Sequence, residues 1–153
     1  MKRIIYLILT ILWLSVIFSF SSENGQTSQN TSESFTSSII IFYEKITKND
    51  VNNDELIDIL DPPIRKIAHF TEFFILGLLI FNFTDTFNTS TKRKILYSIS
   101  FCMLCAIIDE THQLFSIERA PRILDILIDS LGSISIITFI NRKNIHIKRR
   151  HRN

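Results

Sequence analysis

Glycine and proline are scarce, three of each in 153 residues, which is too few for the turns of a many-stranded β protein. The two cysteines, Cys102 and Cys105, both sit inside one apolar block. A pair spaced i, i+3 on a helix makes a poor disulfide, and no further ligand cluster lies beside it, so both are expected as core or lipid-facing thiols. The chain has no phosphate-binding glycine loop, no G-x-S-x-G and no dinucleotide fingerprint. The chemistries that those motifs announce are therefore not read here. Nothing resembling A-x-A follows the first apolar run, so a retained helix is a better reading of that run than a secretory signal peptide.

What is present is segregation. The chain is 46% hydrophobic and 21% charged, but the apolar residues gather in blocks and the charges lie between them. The length leaves room for one domain. Four blocks reach or approach the ~20 residues that a spanning helix needs. The expected architecture is all-α, an integral membrane four-helix bundle with spans at about 4–20, 67–83, 95–112 and 123–140. Residues 21–66 are expected as a loop outside the cytoplasm. Its Ser/Thr/Asn/Gln-rich start reads as solvated, residues 39–46 as a short helix lying on the surface, and the acidic residues 48–61 as solvated chain. Asp61-Pro62-Pro63 reads as a helix start, with Asp61 as the N-cap and Pro62 in the first turn.

Orientation follows from the distribution of Lys and Arg. Lys2, Arg3, Lys92, Arg93, Lys94 and the basic tail at 141–153 share one side of a four-span chain, with Asp85 as their one acid. The excess of cationic residues on the cytoplasmic side then predicts that both termini are inside. The tail has the composition of a nucleic-acid patch, but beside a spanning helix it is more simply an anchor to anionic lipid. No nucleic-acid partner is expected.

The polar residues within and beside the spans fall at their outer ends. Arg65, His69 and Glu72 are spaced i, i+4, i+7. Asp109, His112 and Gln113 are spaced i, i+3, i+4, with Glu110 beside them. Arg122, Asp125 and Asp129 repeat the pattern, and Ser15, Ser19 and Ser22 do so more softly on the first span. Each set lies on one helical face. Charged groups in a bilayer face the bundle interior, pair with one another or serve a function. The four stripes together therefore suggest a shared pocket open to the outside. The ligand-binding candidates are Arg65, His69, Glu72, Asp109, Glu110, Gln113, Arg119, Asp125 and Asp129. His69, Glu72, Asp109, His112 and Asp125 are candidates for acid–base catalysis. His69-x-x-Glu72 and Asp109-x-x-His112 have the one-turn spacing of helical metal sites, but the carboxylate-bundle template needs two Glu-x-x-His pairs and two more Glu. No metal and no other cofactor is expected.

These residues resemble the VanZ family of small membrane proteins, whose namesake is linked to resistance to the glycopeptide teicoplanin. The matching pieces are F-S-S-E at Phe20 to Glu23, A-H-F-T-E-F at Ala68 to Phe73 with Leu76-Gly77, D-E-T-H-Q-L-F at Asp109 to Phe115, Arg119, and D-I-L-I-D-S-L-G at Asp125 to Gly132. Two positions depart from the family's pattern. Ile117-Glu118 stands where a Pro-Gly turn is usual, and Phe73 where Tyr is frequent. The resemblance implies a multi-pass protein of the bacterial plasma membrane, with reduced susceptibility to lipophilic glycopeptides as one outcome, although many members sit outside resistance clusters. Two kinds of function fit the residues. One is a non-enzymatic protein whose partners are the lipid bilayer and a lipid or lipid-linked cell-wall precursor held in the pocket. The other is an intramembrane enzyme acting on the same lipid class through His and carboxylate acid–base chemistry. A transporter with four spans and no internal repeat would need to oligomerise.

Overall fold

The computed structural model describes residues 1–23, 25–48, 53–113 and 122–150, with side chains described to residue 144. Five helices make up the described chain: α1 (Lys2–Ser21), α2 (Gly25–Thr47), α3 (Asn53–Asp85), α4 (Thr91–Gln113) and α5 (Ile123–Arg150). Four of them, α1, α3, α4 and the Ile123–Asn144 part of α5, are long and apolar enough to cross a membrane. The all-α architecture with four potential spans is thus as expected.

The segment expected as a loop is the main correction. Residues 25–47 form the continuous helix α2, and residues 53–66 are the opening turns of α3 rather than a loop, although Asp54, Glu55 and Asp58 there are exposed as expected. Polarity misled because α2 satisfies its hydroxyls internally. Thr31, Ser37, Ser38 and Thr47 donate to the carbonyls of Thr27, Glu33, Ser34 and Tyr43, one turn back. Its buried residues are Thr36 and Ile40, while Phe35, Ile41, Phe42 and Ile46 are exposed. The surface helix expected at 39–46 is the C-terminal part of this longer element. Lys48, in the left-handed region at φ 56°, follows its end.

Asp61 is no N-cap, and Pro62 and Pro63 lie inside α3. Their rings remove two in-helix donors, so the carbonyls of Asp58 and Ile59 lose their usual partners. Asp61 has a docking role instead. Its Oδ1 accepts hydrogen bonds from Ser32 and from Thr36, the latter at 3.1 Å, and its Oδ2 lies 3.6 Å from Arg65. The carboxylate thereby ties α2 to α3.

Helix α3 is the hub, in contact with each of the other four helices. Ile17, Phe73, Leu76, Ile80, Cys102, Cys105 and Ala106 form one buried cluster. Phe81, Ile136 and Ile137 form a second. Both thiols are buried and unpaired, in keeping with core cysteines. The remaining faces carry exposed Ile, Leu and Phe, such as Ile8, Leu12, Leu104, Ile108 and Phe139, as spans surrounded by lipid require.

The tightest approach is between α3 and α5. A Cβ on Gly132 would run into the carbonyl oxygen of Phe70, and one on Gly77 would stand 2.9 Å from the Cα of Ser133. Small residues at a helix crossing let two backbones come together where lipid offers no hydrophobic drive. At one end of the bundle, Arg3 donates to the Thr86 carbonyl (3.1 Å) and lies over the Phe87 ring, and Lys94 pairs with Asp85 (2.8 Å). At the other, the Ser21 hydroxyl approaches the Asp109 carbonyl.

Two predictions follow from these contacts. Gly132→Ala in an ordinary helix would gain about 1 kcal/mol of propensity; here the clash with α3 backbone reverses the sign, and thermal melting in detergent followed by circular dichroism should fall. A raised melting temperature would contradict the close crossing. Asp61→Ala removes charge-assisted bonds of the kind worth about 1.5–3 kcal/mol. Hydrogen exchange should accelerate across α2 while residues 67–83 keep their protection, and an unchanged α2 would show that Asp61 does not dock it.

Candidate functional site

A cavity of ≈ 290 Å³ opens between α1, α2 and α3, at the end away from Arg3 and Lys94. From α3 it takes Arg65, His69 and Glu72, the face expected from their spacing, with Ile64 and Ala68 between them. From α4 it takes Asp109. From α1 it takes Ile17, Phe20 and Ser21, and just beyond α1 it takes Glu23. The wall from α2, Ser28, Thr31, Ser32 and Phe35, lies in the segment expected as a loop. The signal for it was a stripe at four-residue intervals, Ser28, Ser32, Thr36 and Ile40, which apolarity alone does not pick out.

The cavity has two characters. Phe20 and Phe35 lie at its margin and are exposed, at 48% and 61%. Carboxylates, an imidazole, a guanidinium and hydroxyls line the rest together with the apolar side chains of Ile17, Ile64 and Ala68. Trp13 fixes α1 against this wall by donating from Nε1 to the Glu72 carbonyl at 2.9 Å. The softer stripe expected on the first span, Ser15, Ser19 and Ser22, is exposed instead. Ser15 and Ser22 bond to the carbonyls of Ile11 and Phe18 on their own helix, and α1 offers Ile17 and Ser21 in their place.

Behind the cavity lies a buried polar layer. Asp109 is 2% and Asp129 1% exposed. Asp129 Oδ1 faces His69 Nδ1 at 3.7 Å. One nitrogen or oxygen ligand atom from each of His69, Asp109 and Asp129 lies within 4.8 Å of the other two. The trio draws one residue each from α3, α4 and α5, so neither of the within-helix pairs weighed in the sequence produces it. Gln113 donates to Asp109 Oδ2 at 3.2 Å. Glu110, also buried, accepts a hydrogen bond from the backbone N–H of Arg122 at the start of α5, where a carboxylate complements the helix dipole.

Of the ligand-binding candidates, Arg65, His69, Glu72 and Asp109 therefore share the cavity, and Asp129 backs it. Glu110 and Gln113 support α4 and the start of α5. Asp125 is half-buried one turn before Asp129 and outside both the cavity lining and the trio. His112, a catalytic candidate, is exposed, with its ring edge-on to Phe18 at 6.4 Å; a one-face spacing does not say which face turns inward. Arg119 and Ile117-Glu118 lie outside the described residues. Phe73 is fully buried, so this chain places no hydroxyl where the expected pattern often has Tyr.

Comparison with known proteins agrees with the resemblance read from the motifs. The model of the VanZ/LLP1 family matches residues 6–143, a range that contains α2, α3 and α4 and every residue of the cavity and of the buried trio. No curated protein and no solved structure matches the chain. With its potential spans and its match over nearly the whole length, the chain belongs to the VanZ-like family of membrane proteins.

Proposed function

We propose that the protein sits in the bacterial cell membrane with both termini in the cytoplasm, and that its outward cavity holds the head group of a lipid or lipid-linked cell-wall precursor. Occupying that precursor lowers susceptibility to teicoplanin-type glycopeptides, which act at the same membrane surface. One observation carries the reading. A single small cavity joins exposed aromatic margins, Phe20 and Phe35, to a polar wall of Arg65, His69, Glu72 and Asp109, which suits an amphiphile with an apolar chain and a hydrogen-bonding head. Arg65 and the exposed Lys66 are the cations for a phosphate at the surface. The carboxylates and His69 would meet sugar hydroxyls or amide N–H groups, which need acceptors.

A second reading rests on His69, whose ring lies on the cavity wall with Asp129 behind it at 3.7 Å. A base oriented by a buried carboxylate is the arrangement of general base catalysis, so an intramembrane enzyme acting on the same lipids is the alternative. Conversion of a labelled lipid by the wild type, abolished in His69→Ala or Asp109→Asn, would favour it. A panel of precursors left unconverted by the wild type would remove it.

The binding reading predicts that a sensitive Gram-positive host expressing the protein tolerates several-fold more teicoplanin than its vector control. Glu72→Gln and His69→Ala, matched for membrane abundance, should return to the vector value, while His112→Ala keeps the protection. A wild type that behaves like the vector would set the resistance role aside. For orientation, green fluorescent protein fused at the C-terminus should fluoresce, and alkaline phosphatase fused after Lys48 should be active; an active phosphatase at the C-terminus would reverse the topology.

A further inference from the structure

We propose that His69, Asp109 and Asp129 form a binding site for one divalent metal ion of the Zn²⁺ or Mn²⁺ class. Three observations carry this. The first is donor chemistry and proximity: an imidazole and two carboxylates, each on a different helix, place one ligand atom apiece within 4.8 Å of the others. Around a tetrahedral ion with bonds of 2.0–2.2 Å, ligand atoms stand about 3.3–3.6 Å apart, so side-chain rotations close the set. Mixed nitrogen and carboxylate donors suit the borderline Zn²⁺ ion best, and the carboxylates also suit Mn²⁺, whereas Ca²⁺ and Mg²⁺ prefer all-oxygen shells.

The second is Asp129 itself. Its side chain is 1% exposed, and among the described residues its Oδ1 accepts no hydrogen bond while pointing toward His69 Nδ1 at 3.7 Å. A buried carboxylate oxygen without a donor is costly, and a cation between Asp129 and His69 supplies what that oxygen lacks. Arg65, the guanidinium on the same wall, lies against Asp61 instead, at 3.6 Å.

The third is support and access. Gln113 fixes Asp109 through Oδ2 at 3.2 Å, as outer partners orient metal-binding carboxylates. His69 and Asp109 both line the cavity, and Glu72 stands on its wall one turn along α3 from His69. An ion held by three protein groups would thus keep a fourth position open to the cavity. The site stands on its own geometry. Where the lipid reading holds, the ion also gives a cavity rich in carboxylates a positive centre for a phosphate.

The test uses the full-length protein in detergent micelles, stripped with EDTA and then titrated with Co²⁺, whose visible absorption reports its coordination, followed by displacement with Zn²⁺ and elemental analysis. One Co²⁺ per chain is expected, displaced by Zn²⁺, with Zn²⁺ raising the melting temperature. Binding should fall to background in Asp129→Asn and His69→Gln and persist in Asp125→Asn and His112→Ala. His69 is partly exposed, so His69→Gln keeps the test open if Asp129→Asn does not fold. Absence of stoichiometric Co²⁺, Zn²⁺ or Mn²⁺ in the wild type would overturn the proposal, as would full binding by folded His69→Gln. Neither lipid nor antibiotic enters this experiment, so its failure leaves the binding reading standing, and failure of the susceptibility assay leaves the metal site standing.

Discussion

The contact on which the rest depends is the backbone approach of α5 to α3, made possible by Gly132 and Gly77. In a membrane, apolar side chains gain nothing by meeting each other rather than lipid, so close packing must come from shape. Gly132 sits against the Phe70 carbonyl, one residue from His69, and three residues after Asp129. The same crossing therefore sets the distance between the imidazole and the buried carboxylate. Separating the helices by the width of a methyl group would open that pair as well as the core.

The second constraint is the length of α3. At ~1.5 Å per residue, its 33 residues extend about 50 Å, while the hydrocarbon layer is ~30 Å thick. Its polar end is the stretch before residue 67, where Asp61, Pro62 and Pro63 sit. A helix that outruns the bilayer presents a polar shaft at its surface, and the Asp61 carboxylate makes that shaft the mooring for α2. The hub thus does two jobs along one axis: it buries Phe73, Leu76 and Ile80 at depth and builds a cavity wall from Arg65 to Glu72 above them.

Much of this was legible in the sequence. Long apolar runs announce spans because a bilayer has one thickness, and i, i+4, i+7 spacing placed Arg65, His69 and Glu72 on a common face. The failures share a cause: periodicity describes one helix at a time. It grouped His112 with Asp109 and Gln113, though the structure turns His112 outward and buries the other two. It could not foresee a trio assembled from three helices, whose residues are as much as 60 positions apart. Helix α2 was missed for a different reason. A serine-rich segment resembles solvated chain unless its hydroxyls bond one turn back, and that internal satisfaction leaves no trace in hydropathy.

Phe20 and Phe35 have a consequence of their own. One comes from a spanning helix and the other from α2, and both are exposed beside the cavity. The seam between α1 and α2 is therefore greasy at its edge, and within it Arg65, His69, Glu72 and Asp109 stand among apolar side chains such as Ile17 and Ile64. A molecule dissolved in water would meet aromatic surface at this edge. One already lying in the adjoining leaflet, with its tail among the acyl chains, could slide its head sideways through the seam without leaving the membrane. Such a doorway discriminates by where a solute resides before it selects by what the solute is.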